Sequence, residues 1–135
     1  MVVARDLGLP LAGWCPRGRR ALDGPLDPAW PLQETPLATY AQRTRWNVLD
    51  SDATLILAAG SRLTGGTKLT HDLARSLKRP VRVVDPSAAG TGPVKLWVAE
   101  QNIRTLNIAG PRERKDGSVQ PIAEEWLREL LTAFV

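Results

Sequence analysis

The sequence predicts an α/β fold built around a parallel sheet. Short apolar segments alternate along the chain with segments of helical periodicity, and Gly, Pro or Asp residues separate them. Strands that alternate with helices are typical of parallel sheets with right-handed crossovers. The run at residues 53–58 is apolar almost without interruption, as expected of a strand buried on both faces.

The elements can be placed from these patterns and their stop signals. Residues 2–7 read as a helix that ends at Gly8, and residues 122–134 carry an apolar stripe at helical spacing that Ser118 or a close neighbour would cap. Proline recurs through residues 16–36, which predicts a long loop. The predicted strands are residues 9–14, 53–58, 81–84 and 105–109, and the predicted intervening helices are residues 40–49, residues 67–78 and a helix around residues 94–98.

Composition excludes several classes of protein. The chain has 135 residues, so we expect one domain over residues 1–135, and 43% of them are hydrophobic, which excludes disorder, collagen and coiled coil. No apolar run is long enough to span a bilayer, and residues 1–5 do not begin a signal peptide. A single cysteine, Cys15, excludes an internal disulfide and makes the cytoplasm the expected location.

The charge balance limits the kinds of binding partner that the sequence predicts. The net charge of +4 permits nucleic acid but suits a small anionic ligand equally well. Only 5% of the residues are aromatic, and they do not alternate with basic residues as in a base-stacking surface. Nucleic acid and membranes are therefore not the expected partners.

The residue types do not favour catalysis. Cys15 has no base beside it, and His71 is placed on the polar side of its helix, away from any predicted cleft. One histidine and one cysteine are too few for an ordinary zinc site. The residues therefore offer no convincing base or nucleophile, which disfavours an enzyme, and no metal held directly by side chains is expected.

The sharpest candidate for ligand binding is the segment Thr64, Gly65, Gly66 and Thr67, which joins a buried strand to a helix. Glycines let the backbone approach an anion closely, and a helix N-terminus offers free N–H groups and a positive dipole. The threonine hydroxyls could add donors. The alternative is an ordinary tight turn with a capping threonine, and the segment matches neither the P-loop nor the GxGxxG pattern.

Three further strand-end loops could face the same ligand, because ligands of such sheets bind beyond the carboxyl ends of the strands. Asp85 ends one strand and is a candidate contact. The other two loops provide Gly110, Pro111 and Arg112 in one case, and the basic run with Arg19 and Arg20 in the other. Arginine binds phosphate in a bidentate manner, although each arginine could equally be a solvated surface residue.

Four blocks of residues, in order and over nearly the whole chain, resemble the molybdenum carrier family, also described as circularly permuted YpsA-like proteins. The blocks are Gly13-Trp14-Cys15-Pro16 with Gly18-Arg19-Arg20 and Asp23-Gly24-Pro25; Tyr40, Arg43-Thr44, Trp46-Asn47-Val48 and Asp50-Ser51-Asp52-Ala53-Thr54; Leu63-Thr64-Gly65-Gly66-Thr67; and Leu106-Asn107-Ile108-Ala109-Gly110-Pro111-Arg112.

The resemblance implies a Rossmann-like three-layer sandwich related to the LOG enzymes. It further implies a homo-oligomer that binds a phosphorylated ligand, and for carriers this ligand is the molybdenum cofactor, molybdopterin. The loops at residues 65–67 and 110–112 become the leading contacts. The alternatives are a LOG-like nucleoside-monophosphate phosphoribohydrolase and a nucleotide-sensing module. LOG enzymes carry a glutamate shortly after their glycine loop, whereas Lys68, Leu69, Thr70 and His71 follow Thr67 here.

The chain departs from the family at its start. The family pattern opens with a strand and a loop similar to Gly-Gly-Gln-Thr-Gly, and this chain begins inside the following helix. That strand is expected between residues 9–14 and 53–58, where its absence would leave two interior edges unpaired. Either the true start lies upstream, or another chain supplies the strand, or the fold is rearranged.

Overall fold

The computed structural model describes residues 2–19, 31–110 and 119–135. Along the chain these residues form α1 (Val2–Asp6), β1 (Trp14–Cys15), β2 (Gln33–Glu34), α2 (Tyr40–Leu49), β3 (Ala53–Leu57), a 3₁₀ turn (Ala59–Ser61), α3 (Gly65–Ser76), β4 (Val81–Val84), α4 (Gly92–Glu100), β5 (Leu106–Ala109) and α5 (Val119–Thr132). Within these residues no helix combines the length and the apolar character needed to cross a membrane.

The strands form two parallel sheets. Three of them pair in the order β4-β3-β5, with Thr54 of β3 opposite Val81 on one side and Asn107 on the other. The short strands β1 and β2 form a separate pair, with Trp14 opposite Gln33. The predicted α/β fold with a parallel sheet and a Rossmann-like layer order is confirmed.

β3 is the centre of the molecule. All five of its residues are buried, as the continuous apolar run predicts. The one hydroxyl on this strand, Thr54 Oγ1, accepts a hydrogen bond from Asn107 Nδ2 at 3.3 Å, so a polar group in the sheet interior is satisfied across the strand pair.

Helices cover both faces of the three-stranded sheet. The connection from β3 to β4 and the connection from β4 back past β3 to β5 run in opposite directions, so right-handed crossovers place α3 and α4 on opposite faces. α2 packs beside α3, and α5 packs beside α4. The main core lies on the second of these faces and consists of Leu55, Leu57, Val84, Val94, Val98, Trp126 and Leu130.

Apart from shifts of one or two residues at element ends, three features differ from the sequence predictions. Of the strand expected at residues 9–14, only Trp14 belongs to a strand, β1 (Trp14–Cys15), and the long predicted loop contains β2, whose exposed residues Gln33 and Glu34 carry no apolar signal. The place predicted for the family's additional strand, beside residues 53–58, is wrong, because β3 is already paired on both edges.

Candidate functional site

The topology marks one edge of the sheet as the place for a ligand. The chain leaves β3 in one direction for β4 and passes in the other direction to β5, so the strand order reverses between β3 and β5. Parallel sheets bind ligands at such a reversal, in the crevice beyond the carboxyl ends of the strands. The segments that follow β3 and β5 begin with Ala58 and Gly110, and the predicted residues 64–67 and 110 therefore follow the two strands that flank the crevice.

The N-terminus of α3 has the form expected of an anion site. Thr64 is extended and precedes Gly65, whose φ of 51° suits glycine better than any other residue. Gly65 and Gly66 are exposed, and among the residues that the structure describes their N–H groups have no acceptor. A Cβ atom added at either position would meet nothing within 4 Å, so the space in front of the two amides is open.

Thr67 is used inside the helix cap. Thr67 is only 4% exposed. Its Oγ1 donates to the Thr64 carbonyl at 2.8 Å and accepts from the Thr64 N–H at 3.3 Å. These two bonds of one hydroxyl tie the first turn of the helix to Thr64. Thr67 therefore shapes the turn that presents the glycine amides. The sequence alone did not distinguish this capping role from direct ligand contact.

Lys68 and His71 lie on the outer surface of α3. Lys68 Nζ pairs with Asp72 at 2.8 Å, and His71 Nδ1 lies 3.2 Å from the same carboxylate group. These two contacts lower the pKa of Asp72, with the Lys68 hydrogen bond as the largest cause. The charge of Lys68 is thus partly neutralised on the helix surface by a residue one turn away.

Asp85 joins the loops that follow β3 and β4. Its Oδ2 accepts from the N–H of Gly60 at 2.7 Å, and its Oδ1 accepts from Ser87 twice, from Oγ at 2.6 Å and from the N–H at 2.9 Å. The Ser87 hydroxyl, the Gly60 amide and the Ser87 amide, in that order, lower the pKa of Asp85. Asp85 is therefore an ionised and fixed acceptor at the carboxyl edge.

The basic loop that carries Arg19 belongs to the two-stranded sheet. Arg19 has a φ of 54° and donates from Nη1 to the Leu32 carbonyl at 3.2 Å. The Gly18 N–H donates to Glu34 Oε1 at 2.7 Å, and the Arg17 N–H donates to the Leu37 carbonyl at 3.0 Å. These bonds fold the loop onto β2 and the segment before α2.

Arg43 is a positively charged residue near β1 that the sequence did not indicate as a site residue. It is half-buried on α2 with its guanidinium 5.3 Å from the centre of the Tyr40 ring. Burial lowers the pKa of Arg43, and nearby Tyr40 and Cys15 offset part of that shift. No carboxylate pairs with it within the described ranges. Its burial depends on how α2 packs, so the sequence alone carried no signal for it.

Other predicted contacts are only partly located. Gly110 is exposed at the end of β5, with open space where a Cβ would lie. Arg20, Pro111, Arg112 and the predicted cap Ser118 lie outside the described residues. In the part of the chain that is described, no three His, Cys, Asp or Glu residues are grouped so that they could hold a metal ion.

Comparison with known proteins agrees with this architecture. A protein of Syntrophus aciditrophicus SB, whose crystal structure bears the name putative molybdenum carrier protein, superposes with a TM-score of 0.88 at 36% sequence identity; the match covers 96% of this chain and 84% of that one. No curated protein matches closely enough to count as a relative. The sequence model of one family matches residues 1–131. The chain therefore belongs to the circularly permutated YpsA SLOG family.

Proposed function

We propose that the protein is a carrier that binds a phosphorylated pterin-type ligand, the molybdenum cofactor, at the carboxyl edge between β3 and β5. The observation that carries the proposal is the pair of exposed amides at Gly65 and Gly66, which begin a twelve-residue helix beside the point where the strand order reverses. The similar protein of Syntrophus aciditrophicus SB, named putative molybdenum carrier protein, supports the choice of a molybdenum-containing cargo.

The phosphate is the part of the cargo that these residues would hold. Unpaired backbone amides at a helix N-terminus bind an anion through directed hydrogen bonds and the helix dipole. Gly110 at the end of β5 would let the backbone approach the ligand from the other side of the crevice, with Pro111 and Arg112 following it. Arg19 and Arg43 would supply additional positive charge near the end of β1, and Arg20 follows Arg19 in the sequence.

Ligand-dependent melting tests the identity of the cargo. Molybdenum cofactor should raise the melting temperature, because a ligand that binds only the folded state stabilises it by mass action. Molybdate alone should have no effect, since the proposal assigns recognition to the phosphate. A shift with AMP and none with the cofactor would favour the nucleotide-binding alternatives, and an equal shift with molybdate would contradict recognition through the phosphate.

Gly66→Ala tests the location of the site. The methyl group has room in the protein but would point into the space assigned to the anion. We expect the dissociation constant measured by calorimetry to rise about tenfold, equivalent to about 1.4 kcal/mol. Gly92→Ala is the matched control, because Gly92 also begins a helix at this sheet edge, has open space around its Cα, and follows β4. Equal affinities for the two variants would place the phosphate elsewhere.

A further inference from the structure

Asp85 lies at a position that contacts the ligand in dinucleotide-binding parallel sheets. In dinucleotide-binding sheets, an acidic residue at the end of the strand that follows the glycine turn and its helix binds a ribose hydroxyl, about 20 residues beyond the glycines. Here the glycine turn leads into α3 and then β4, and β4 runs beside β3 and ends directly at Asp85. Asp85 therefore stands where a carboxylate would meet the part of a ligand that adjoins its phosphate.

The hydrogen bonds of Asp85 leave it one acceptor position. A carboxylate offers about four acceptor positions, two on each oxygen. Ser87 uses both positions on Oδ1, and Gly60 uses one on Oδ2. The second position on Oδ2 has no donor among the described residues. The three existing bonds hold the group still, so a ligand donor would find an oriented anionic acceptor.

The loop that Asp85 holds is the loop that leads to the proposed phosphate site. Gly60, with a φ of 63°, lies in the 3₁₀ turn directly after β3, and α3 starts a few residues later. The same carboxylate thus fixes the start of the loop that leads to the glycine amides of Gly65 and Gly66.

We propose that Asp85 recognises the group that adjoins the phosphate of the ligand, by accepting a hydrogen bond at Oδ2 from a hydroxyl or N–H group. This inference rests on the proposed function. The ligand class is a phosphate ester whose adjoining group carries such a donor. Two sources share this chemistry: the sugar hydroxyls of a nucleotide and the 2-amino group of a pterin.

Two pairs of ligands test the proposal by calorimetry. One pair is AMP and 2′,3′-dideoxy-AMP, which lacks the sugar hydroxyls. The other is a phosphorylated pterin and its lumazine counterpart, in which oxygen replaces the 2-amino group. In at least one pair, the wild-type protein should bind the member that carries the sugar hydroxyls or the 2-amino group about tenfold more tightly, as loss of a hydrogen bond to a charged group implies. The pair that shows the difference identifies the source.

Asp85→Asn should bring that ratio of affinities close to one. Ser87→Ala is the control, because it removes the bond from the Ser87 hydroxyl while keeping the Ser87 N–H bond and the carboxylate, and it should retain the ratio. Melting curves of both variants check that they fold.

The outcomes separate this inference from the proposed function. An unchanged ratio in Asp85→Asn, or equal weakening of both members of a pair, would show that Asp85 acts only on the loops and would overturn the inference. Equal wild-type affinities within both pairs would overturn it while leaving phosphate binding intact. Failure of all four ligands to bind would overturn the proposed function as well.

Discussion

Asp52 ties the start of β3 to the start of β5. Its Oδ2 accepts from the N–H groups of Arg104 and Thr105, each at 2.9 Å. The Thr105 bond is the largest cause of a lowered pKa of Asp52, followed by the Arg104 bond. Because the unfolded carboxyl titrates near its ordinary value of 3.8, the stabilisation is complete above that pH and disappears as the pH falls through the lower folded pKa.

We therefore expect Asp52→Asn to lower the midpoint of urea unfolding at pH 7, and the difference from wild type to shrink when the pH falls below 3.8. Urea titrations at pH 7, 4 and 3 would measure this. Glu100→Gln is the control, because its exposed carboxylate makes no hydrogen bond within the described residues, and it should unfold like the wild type at pH 7. A difference for Asp52→Asn that grew on acidification would contradict the assignment.

The side chain of Asn47 makes the hydrogen bonds to β1 that a neighbouring strand would otherwise make. Its Oδ1 accepts from the Trp14 N–H at 2.8 Å, and its Nδ2 donates to the Trp14 carbonyl at 3.2 Å. Asn47→Ala should lower the free energy of unfolding by about 1–3 kcal/mol, because two partly buried backbone groups lose their partner. Gln101→Ala, an exposed amide at the end of α4, should change it by less than about 0.5 kcal/mol. Equal effects in chemical denaturation would show that the Asn47 bonds add no stability.

Some residues of the candidate site could be predicted from the sequence and others could not. Thr64–Thr67 are placed at a helix start beyond a buried strand, as the glycine pair and the preceding apolar run indicate. The direction of the Thr67 hydroxyl was not predictable, because a threonine at this position serves equally as a cap or as a ligand donor. Arg43 was missed as a site residue because its burial depends on how α2 packs.

At the scale of elements, α3 and α4 end in the same motif without glycine. Lys78 and Asn102 follow the last helical residues with φ values of 57° and 51°. The next N–H groups, of Arg79 and Ile103, bond back to the carbonyls of Ala74 and Val98. This is the Schellman arrangement, in which glycine is the usual left-handed residue.

Lys78→Gly should therefore raise the free energy of unfolding by about 1 kcal/mol, because glycine adopts this conformation without steric cost. Arg75→Gly, an exposed substitution inside the same helix, should lower it by about 1 kcal/mol. Chemical denaturation of both variants gives the comparison. Destabilisation by Lys78→Gly would mean that the lysine side chain contributes more than its backbone costs.

The accuracy of the predicted elements follows their hydrophobic signal. α2 and β4 have the predicted bounds, and β3 ends one residue earlier, because periodicity and stop residues define them within the sequence. α3 begins two residues before the prediction, since glycine is acceptable in a first helical turn although it is disfavoured in the interior. β2 could not be found, since its two exposed polar residues are ordered only by pairing with β1.

At the scale of the whole molecule, two sheets are connected through one helix. α2 contacts α3 on the three-stranded sheet and also holds β1 through Asn47 and Asp50, the latter accepting from Trp14 Nε1 at 2.6 Å. The sequence predicted a single layered domain, but the division into two sheets depends on pairing between distant segments, which local patterns do not encode. Whether the two sheets unfold together is therefore a separate prediction.

We expect one cooperative unit, and Leu130→Ala tests this from the far side of the molecule. Leu130 is fully buried in the core between α5 and β3, so the truncation should cost about 2–5 kcal/mol, a large part of the stability of an ordinary domain. Leu96→Ala, at a residue 60% exposed on α4, should have little effect. Hydrogen exchange read by mass spectrometry should show peptides containing β1 and β3 losing protection together in Leu130→Ala, because α2 links them. Protection retained at β1 and lost at β3 would instead show that the two sheets unfold independently.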